Sequence, residues 1–111
     1  IIDDEFRAPT LVDDLAYACI YSAINKVYGV FHTSGKDIMS IYEMVISIAN
    51  YFKLDKNLVN RISSKELNQV ANRPKKTGFV LEKAQEQLNY YPKSFNDSLA
   101  YIDKQLTNQN N

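Results

Sequence analysis

The sequence predicts a mixed α/β fold that is rich in helix, with about four main helices and short strands. Two observations lead to this prediction. Apolar residues recur in several stretches at the i, i+3, i+4 and i+7 spacing of an amphipathic helix. Short runs of β-branched and aromatic residues lie between these stretches and are typical of strands. With 111 residues, the chain is long enough for one domain.

The turn from the first strand into the first helix is centred on Pro9. Because Pro9 cannot donate to a strand ladder, we expect the strand to end near Arg7. Thr10 and Asp13 have the spacing of a capping box, which predicts a helix from about residue 11 to residue 26. The apolar stripe expected to be buried on this helix consists of Val12, Leu15, Ala16, Cys19, Ile20, Ala23 and Val27.

The second main helix has the clearest start in the sequence. Ser40 and Glu43 form a capping box, and Met39 and Met44 have the spacing of a hydrophobic staple. Apolar residues then follow at helical spacing on one face. We expect this helix to end near Lys53.

The remaining elements follow from shorter signals. They are strands at 29–33, 59–62 and 79–81, a short helical piece after Asp55, a capping box at Ser63 and Glu66, a polar loop at 68–78, a helix at 82–88 stopped by Asn89, and a last helix capped by Ser94 and Asp97. Residues 1–106 are expected to form one domain and 107–111 a frayed tail. The apolar start Ile1-Ile2 resembles the interior of a strand, so we expect a fragment of a longer protein.

Composition argues against several classes of protein. The 13 basic and 13 acidic residues are mixed along the chain, which disfavours nucleic-acid binding. A single cysteine, Cys19, excludes an internal disulfide, and its position on the helical stripe predicts a buried residue. No apolar run approaches the roughly 20 residues of a membrane span. We therefore expect a cytoplasmic protein without a membrane partner, with a homodimer possible through exposed edges.

The motifs of cofactor and metal chemistry are missing from the sequence. The three glycines are far apart and form no G-x-G-x-x-G fingerprint, so no cofactor-binding residue is predicted. One histidine and one cysteine do not make a metal site. No tyrosine has a lysine four residues after it, so the sequence contains no Tyr-x-x-x-Lys pair. His32 is expected to be an ordinary residue at the end of a strand. We therefore predict no catalytic residue in this chain.

Two arginines lie next to prolines in irregular segments, Arg7 and Arg73. The guanidinium group is a planar fork that matches phosphate oxygens in a bidentate way. The same arginines would also suit ordinary exposed ion pairs. A phosphorylated ligand is needed to favour the binding role.

The order of motifs resembles the C-terminal part of the extended short-chain dehydrogenase/reductase superfamily, and in particular the dTDP-4-dehydrorhamnose reductase family. Residues 4–10 resemble the family's Asp-Gln-x-Gly-x-Pro-Thr, and residues 14–16 its Asp-Leu-Ala. Residues 29–32 are similar to Gly-x-Tyr/Phe-His, and residues 40–43 to its Ser-x-x-Glu-Phe region. Arg73-Pro74, with Lys83 ten residues after the arginine, resembles the Arg-Pro segment followed by a helix-starting lysine.

The resemblance implies a sugar-nucleotide-binding subdomain whose Rossmann part is absent. Such a chain would bind the dTDP-sugar, with Arg73 and Arg7 as substrate-binding residues. NADPH or NADH would bind to the missing N-terminal domain, which also holds a Tyr-x-x-x-Lys pair. The full-length protein would reduce the 4-keto group of dTDP-6-deoxy-L-lyxo-4-hexulose in dTDP-L-rhamnose synthesis, and this fragment alone would be inactive. The alternatives are a binding module similar to the regulatory beta subunit of methionine adenosyltransferase, or another nucleotide-sugar reductase or epimerase.

Overall fold

The computed structural model describes residues 1–110 and has four α-helices and one small sheet. This confirms the predicted helix-rich α/β fold. In chain order the elements are β1 (Phe6–Arg7), α1 (Val12–Ile24), β2 (Met39–Ser40), α2 (Ile41–Tyr51), α3 (Glu82–Leu88) and α4 (Phe95–Gln109), with 3₁₀ turns at Lys56–Leu58 and Ser64–Leu67.

The N-terminal segment lies at the centre of the strand pairing. β1 pairs with β2 in antiparallel register, with Phe6 opposite Ser40. On its other side, Phe6 forms a parallel bridge with Lys76, and Ile2 forms another with Ile62. The segment from Ile2 to Arg7 thus holds together residues from three distant parts of the chain.

Side-chain caps fix the starts of α2, α4 and the first 3₁₀ turn as predicted. Ser40 and Glu43 form a complete capping box at α2, with bonds of 3.0 Å and 2.7 Å. Ser94 accepts from the Asp97 N–H at the start of α4, and Asp55 caps the first 3₁₀ turn. The predicted capping box at Ser63 and Glu66, the stop of α3 at Asn89 (φ 49°) and the end of β1 at Arg7 are also confirmed.

The predicted capping box at Thr10 is wrong. Leu11 is the N-cap residue of α1 and has no side-chain cap. The Thr10 hydroxyl instead donates to the Ala8 carbonyl at 3.0 Å and accepts from the Gly35 N–H at 2.9 Å. The hydroxyl therefore ties the turn after β1 to the segment around Gly35.

Most of the predicted buried face of α1 is also wrong. Val12 and Ile20 are 70% and 59% exposed, and Ala16, Cys19 and Ala23 are exposed as well, whereas Leu15 and Val27 are half-buried. The helix turns its other side inward, because Ala18 packs into the core against α3. The outer side of α1 is thus an apolar stripe open to solvent, with four-residue spacing from Val12 through Ala16 and Ile20 to Ile24.

The core is small and is organised around Tyr90. Its buried members are Ala18, Ala84, Leu88 and Tyr90, with Tyr21, Val27, Phe31 and Leu81 packed against them. The Tyr90 side chain is 1% exposed and donates its hydroxyl to the Ser34 carbonyl at 2.8 Å. Burial raises the pKa of Tyr90 to about 12, because the phenolate would lose its hydration. The core therefore fixes the segment that follows residue 33.

Three predicted strands are not formed. Segments 29–33 and 79–81 are irregular, and 59–62 contributes only the Ile62 bridge. Helix α4 extends through Gln109, into the segment where we expect fraying, and residue 111 lies outside the described residues. Among residues 1–110, no helix combines the length and the apolar composition needed to cross a bilayer.

Candidate functional site

The candidate site is built by the segment 73–79 where it runs beside β1. The Phe6 N–H donates to the Lys75 carbonyl at 2.7 Å, and the Thr77 N–H donates to the Phe6 carbonyl at 3.1 Å. These two bonds give residues 75–77 the parallel pairing of a strand without regular strand length. A segment predicted as an irregular loop is therefore fixed at its C-terminal half, directly after Arg73.

Arg73 is exposed and lines a cavity of about 410 Å³. Lys65 and Lys75 contribute further positive charge to this cavity, and Glu5 lies on its wall. Within residues 1–110, the Arg73 guanidinium has no hydrogen-bond or ion-pair partner. Its planar fork is therefore available to a ligand with phosphate or carboxylate oxygens.

Arg7 lies on the other side of the same segment. It lines a second cavity, of about 610 Å³, together with Lys76 and Phe79. Its Nη1 donates to the Phe6 carbonyl at 2.8 Å and to the Pro74 carbonyl at 3.1 Å. The structure thus places Arg7 in contact with Pro74, the residue after Arg73, but the two arginines line different cavities.

An ionic contact closes the wall of the Arg73 cavity. Asp4 accepts the Ser64 N–H at 2.8 Å and the Ser64 hydroxyl at 2.9 Å, and Lys75 Nζ donates to the same carboxylate. The pKa of Asp4 is lowered from 3.8 to about 2, mainly by the hydrogen bond from Lys75 and then by the Ser64 N–H. The carboxylate joins the start of the Ser64–Leu67 turn to the segment that carries Arg73.

This contact predicts a loss of stability in acid. A carboxyl group whose pKa is lower in the folded protein stabilises the fold above its unfolded pKa, and this contribution disappears as the pH falls from about 4 to about 2. We expect wild-type protein to be more stable than an Asp4→Asn variant at neutral pH, with the difference vanishing near pH 2. Thermal unfolding of both proteins across this range measures the difference. A gap that stays constant down to pH 2 would contradict the assignment.

Several residues of this region were missed by sequence reasoning. Lys75 and Lys76 follow Arg73-Pro74 directly, and this run of positive charge was an available signal. The partner role of Ser64 had no local signal, because Asp4 is 60 residues away. His32 is exposed and stacks on Phe79 with the ring centres 4.9 Å apart, so it lies beside the Arg7 cavity.

Within residues 1–110, no group of three His, Cys, Asp or Glu side chains is placed to hold a metal ion. Lys83, at the start of α3, donates to the Val30 carbonyl at 2.8 Å and lies over the Phe31 ring, so its charge is engaged in holding the 29–33 segment. The chemistry that Arg73 and Lys65 can perform is the binding of an anionic group.

Comparison with a solved structure defines the class of protein. The chain matches the crystal structure of dTDP-4-dehydrorhamnose reductase from Bacillus anthracis str. Ames in complex with NADP, with a TM-score of 0.77 and 26% sequence identity. The match covers 93% of this chain and 37% of the neighbour, so the chain spans about a third of the neighbour's length. Its fold is that of the substrate-binding part of such a reductase.

A family comparison agrees with this assignment. Residues 1–108 match the family model described as RmlD substrate binding domain, and the chain belongs to this family. A search of curated proteins finds no significant match. The resemblance drawn from the sequence motifs is therefore confirmed at the level of the family.

Proposed function

We propose that this chain is the substrate-binding part of an NADPH-dependent dTDP-4-dehydrorhamnose reductase. The full-length protein would reduce the 4-keto group of dTDP-6-deoxy-L-lyxo-4-hexulose to give dTDP-L-rhamnose. The observation that carries the proposal is the position of Arg73, which has no internal partner and lines a cavity with two lysines on a segment held at β1. A nucleoside diphosphate is the anion that a bidentate guanidinium with neighbouring ammonium groups suits.

Within this proposal the residues have separate tasks. Arg73 contacts the diphosphate, and Lys65 raises the local positive potential, while the charge of Lys75 is paired with Asp4. The sequence predicts Arg7 as a second substrate contact; in the structure its guanidinium lines the neighbouring cavity and donates to Glu5 and to two backbone carbonyls. Binding the nucleotide end of the substrate orients the keto-sugar for reaction, which is how a domain without a catalytic residue contributes to rate.

The cofactor is proposed to bind outside this chain. NADPH supplies the hydride of the reduction, and the described residues offer no glycine-rich turn to hold its pyrophosphate. The three glycines lie at positions 29, 35 and 78, and none belongs to the fingerprint of a dinucleotide site. This agrees with a two-part protein in which the chain closes over the sugar nucleotide.

The shape of the chain supports packing against a further domain. Its radius of gyration is 16.7 Å, against about 13 Å for a compact domain of roughly 100 residues. It is also flat, with extents of 48 × 43 × 20 Å. Together with the open apolar stripe of α1, this shape fits a piece that lies against the N-terminal Rossmann domain of a full-length reductase.

The proposal is tested with the full-length protein. We expect consumption of NADPH that depends on the dTDP-keto-sugar, followed by absorbance, and dTDP-L-rhamnose as product. Binding of dTDP and of NADP without turnover would replace this proposal with the alternative of a regulatory binding module. Saturable NADPH binding by the chain alone would contradict the proposed division into two parts.

A further inference from the structure

Among residues 1–110, Glu5 and Arg7 form the most buried ion pair. Arg7 Nη2 donates to Glu5 Oε2 at 2.9 Å, and the side chain of Glu5 is only 9% exposed. Within residues 1–110, Arg7 is the only side chain that hydrogen-bonds to the Glu5 carboxylate. Because a buried charge is costly unless it is paired, the carboxylate holds the arginine in this position.

The Arg7 guanidinium also hydrogen-bonds to the backbone carbonyl of Pro74. A proline has no N–H, so Pro74 can join the parallel pairing beside β1 only through its carbonyl. Arg7 Nη1 donates to that carbonyl at 3.1 Å, one residue before the Lys75 carbonyl accepts the Phe6 N–H. The side chain thus extends the pairing to the residue adjacent to Arg73.

Arg73 itself makes no bond that would fix its location. Its exposed side chain has no partner in the described residues, so its backbone position depends on Pro74 and on the pairing that follows.

We propose that Arg7, oriented by Glu5, is a positioning residue that holds the Arg73 segment in its ligand-binding geometry. The identity of the ligand rests on the proposed function, while the positioning rests on the hydrogen bonds that Arg7 makes to Glu5, Phe6 and Pro74. In this arrangement the guanidinium acts on the ligand through the Pro74 backbone, and Arg73 makes the contact.

The test uses hydrogen exchange and dTDP binding by the full-length protein. In an Arg7→Ala variant, the N–H groups of Phe6 and Thr77 are expected to exchange about tenfold faster, because a charge-assisted bond beside them is lost. The Kd for dTDP is expected to rise by about tenfold. Arg7→Ala also leaves the Glu5 carboxylate buried and unpaired, which lowers thermal stability.

A double variant separates positioning from stability. In Glu5→Gln/Arg7→Ala no buried charge is left unpaired, so thermal stability returns toward the wild-type value. The exchange rates of the Phe6 and Thr77 N–H groups and the Kd for dTDP stay raised, because the Pro74 carbonyl still lacks its donor. Arg61→Ala is the matched control: it removes an exposed arginine from an ion pair with Asp3 and leaves the two reporter amides unchanged.

Two results would overturn the positioning role. One is wild-type exchange at Phe6 and Thr77 in Arg7→Ala, whatever happens to dTDP binding. The other is a double variant that regains dTDP affinity together with stability. If wild-type protein does not bind dTDP, the proposed function fails, and faster exchange in Arg7→Ala still supports the positioning of the segment.

Discussion

Replacing Arg73 with alanine in the full-length protein is expected to raise the KM for the dTDP-sugar by about 10- to 100-fold, the loss of a hydrogen-bonded charged contact of about 1.5–3 kcal/mol. The side chain is exposed and has no partner in the described chain, so its removal leaves no buried group unsatisfied. Stability should therefore change by less than about 0.5 kcal/mol. The separation of a large kinetic effect from a small structural one is the signature of a ligand contact.

The measurement is steady-state kinetics of Arg73→Ala beside Arg73→Lys and Lys104→Ala. The lysine variant keeps the charge without the planar fork, and we expect an intermediate KM. Lys104 is exposed on α4 and lines a different cavity, so its replacement controls for loss of positive charge. A KM for Arg73→Ala within twofold of the Lys104→Ala value would remove Arg73 from the binding site.

The helix starts were predictable because their signals are local. Ser40 and Glu43 lie within four residues of each other, and their capping box needs no information from the rest of the chain. Asn89 likewise marks the end of α3 by its own left-handed backbone. Thr10 shows the limit of this reasoning, because the hydroxyl that could cap α1 is taken by Gly35, which is 25 residues away.

The buried face of α1 could not be predicted from the spacing of its apolar residues. Apolar residues occur on two sides of this helix, and the spacing alone does not say which side meets α3. In the structure the side with Ala18 meets α3, and Ala18 belongs to the same buried cluster as Ala84 and Leu88. The stripe with Ile20 and Ile24 is left to solvent, which is why the larger apolar residues are the exposed ones.

The arginines of the candidate site were predictable as residues but their surroundings were not. A guanidinium beside a proline is visible in the sequence, whereas its partners come from distant segments. Arg7 meets Pro74 across 67 positions, and Asp4 meets Lys75 across 71. These contacts form through parallel pairing at Phe6, and no pattern within a short window predicts such pairing.

Replacing Gly35 with alanine is expected to lower the free energy of unfolding by about 3 kcal/mol or more, at the upper end of the cost of overpacking. Gly35 is buried, and an added Cβ would lie 1.9 Å from the Pro9 carbonyl oxygen and 3.0 Å from its carbon. Both atoms belong to the backbone, so no side-chain rotation can relieve the overlap. Chemical denaturation of the purified protein measures the change.

Gly78→Ala is the matched control, because the same methyl group meets a different neighbour there. Its Cβ would lie 2.8 Å from Cδ1 of Ile38, the mobile end of a side chain that is 44% exposed and can rotate away. We expect a cost below about 1 kcal/mol at this position. Equal costs for the two variants would show that the turn after β1 can shift to admit the methyl group. A large cost at Gly35 alone would mean that the backbone of the turn from Arg7 into α1 cannot shift, because Pro9 packs directly against Gly35.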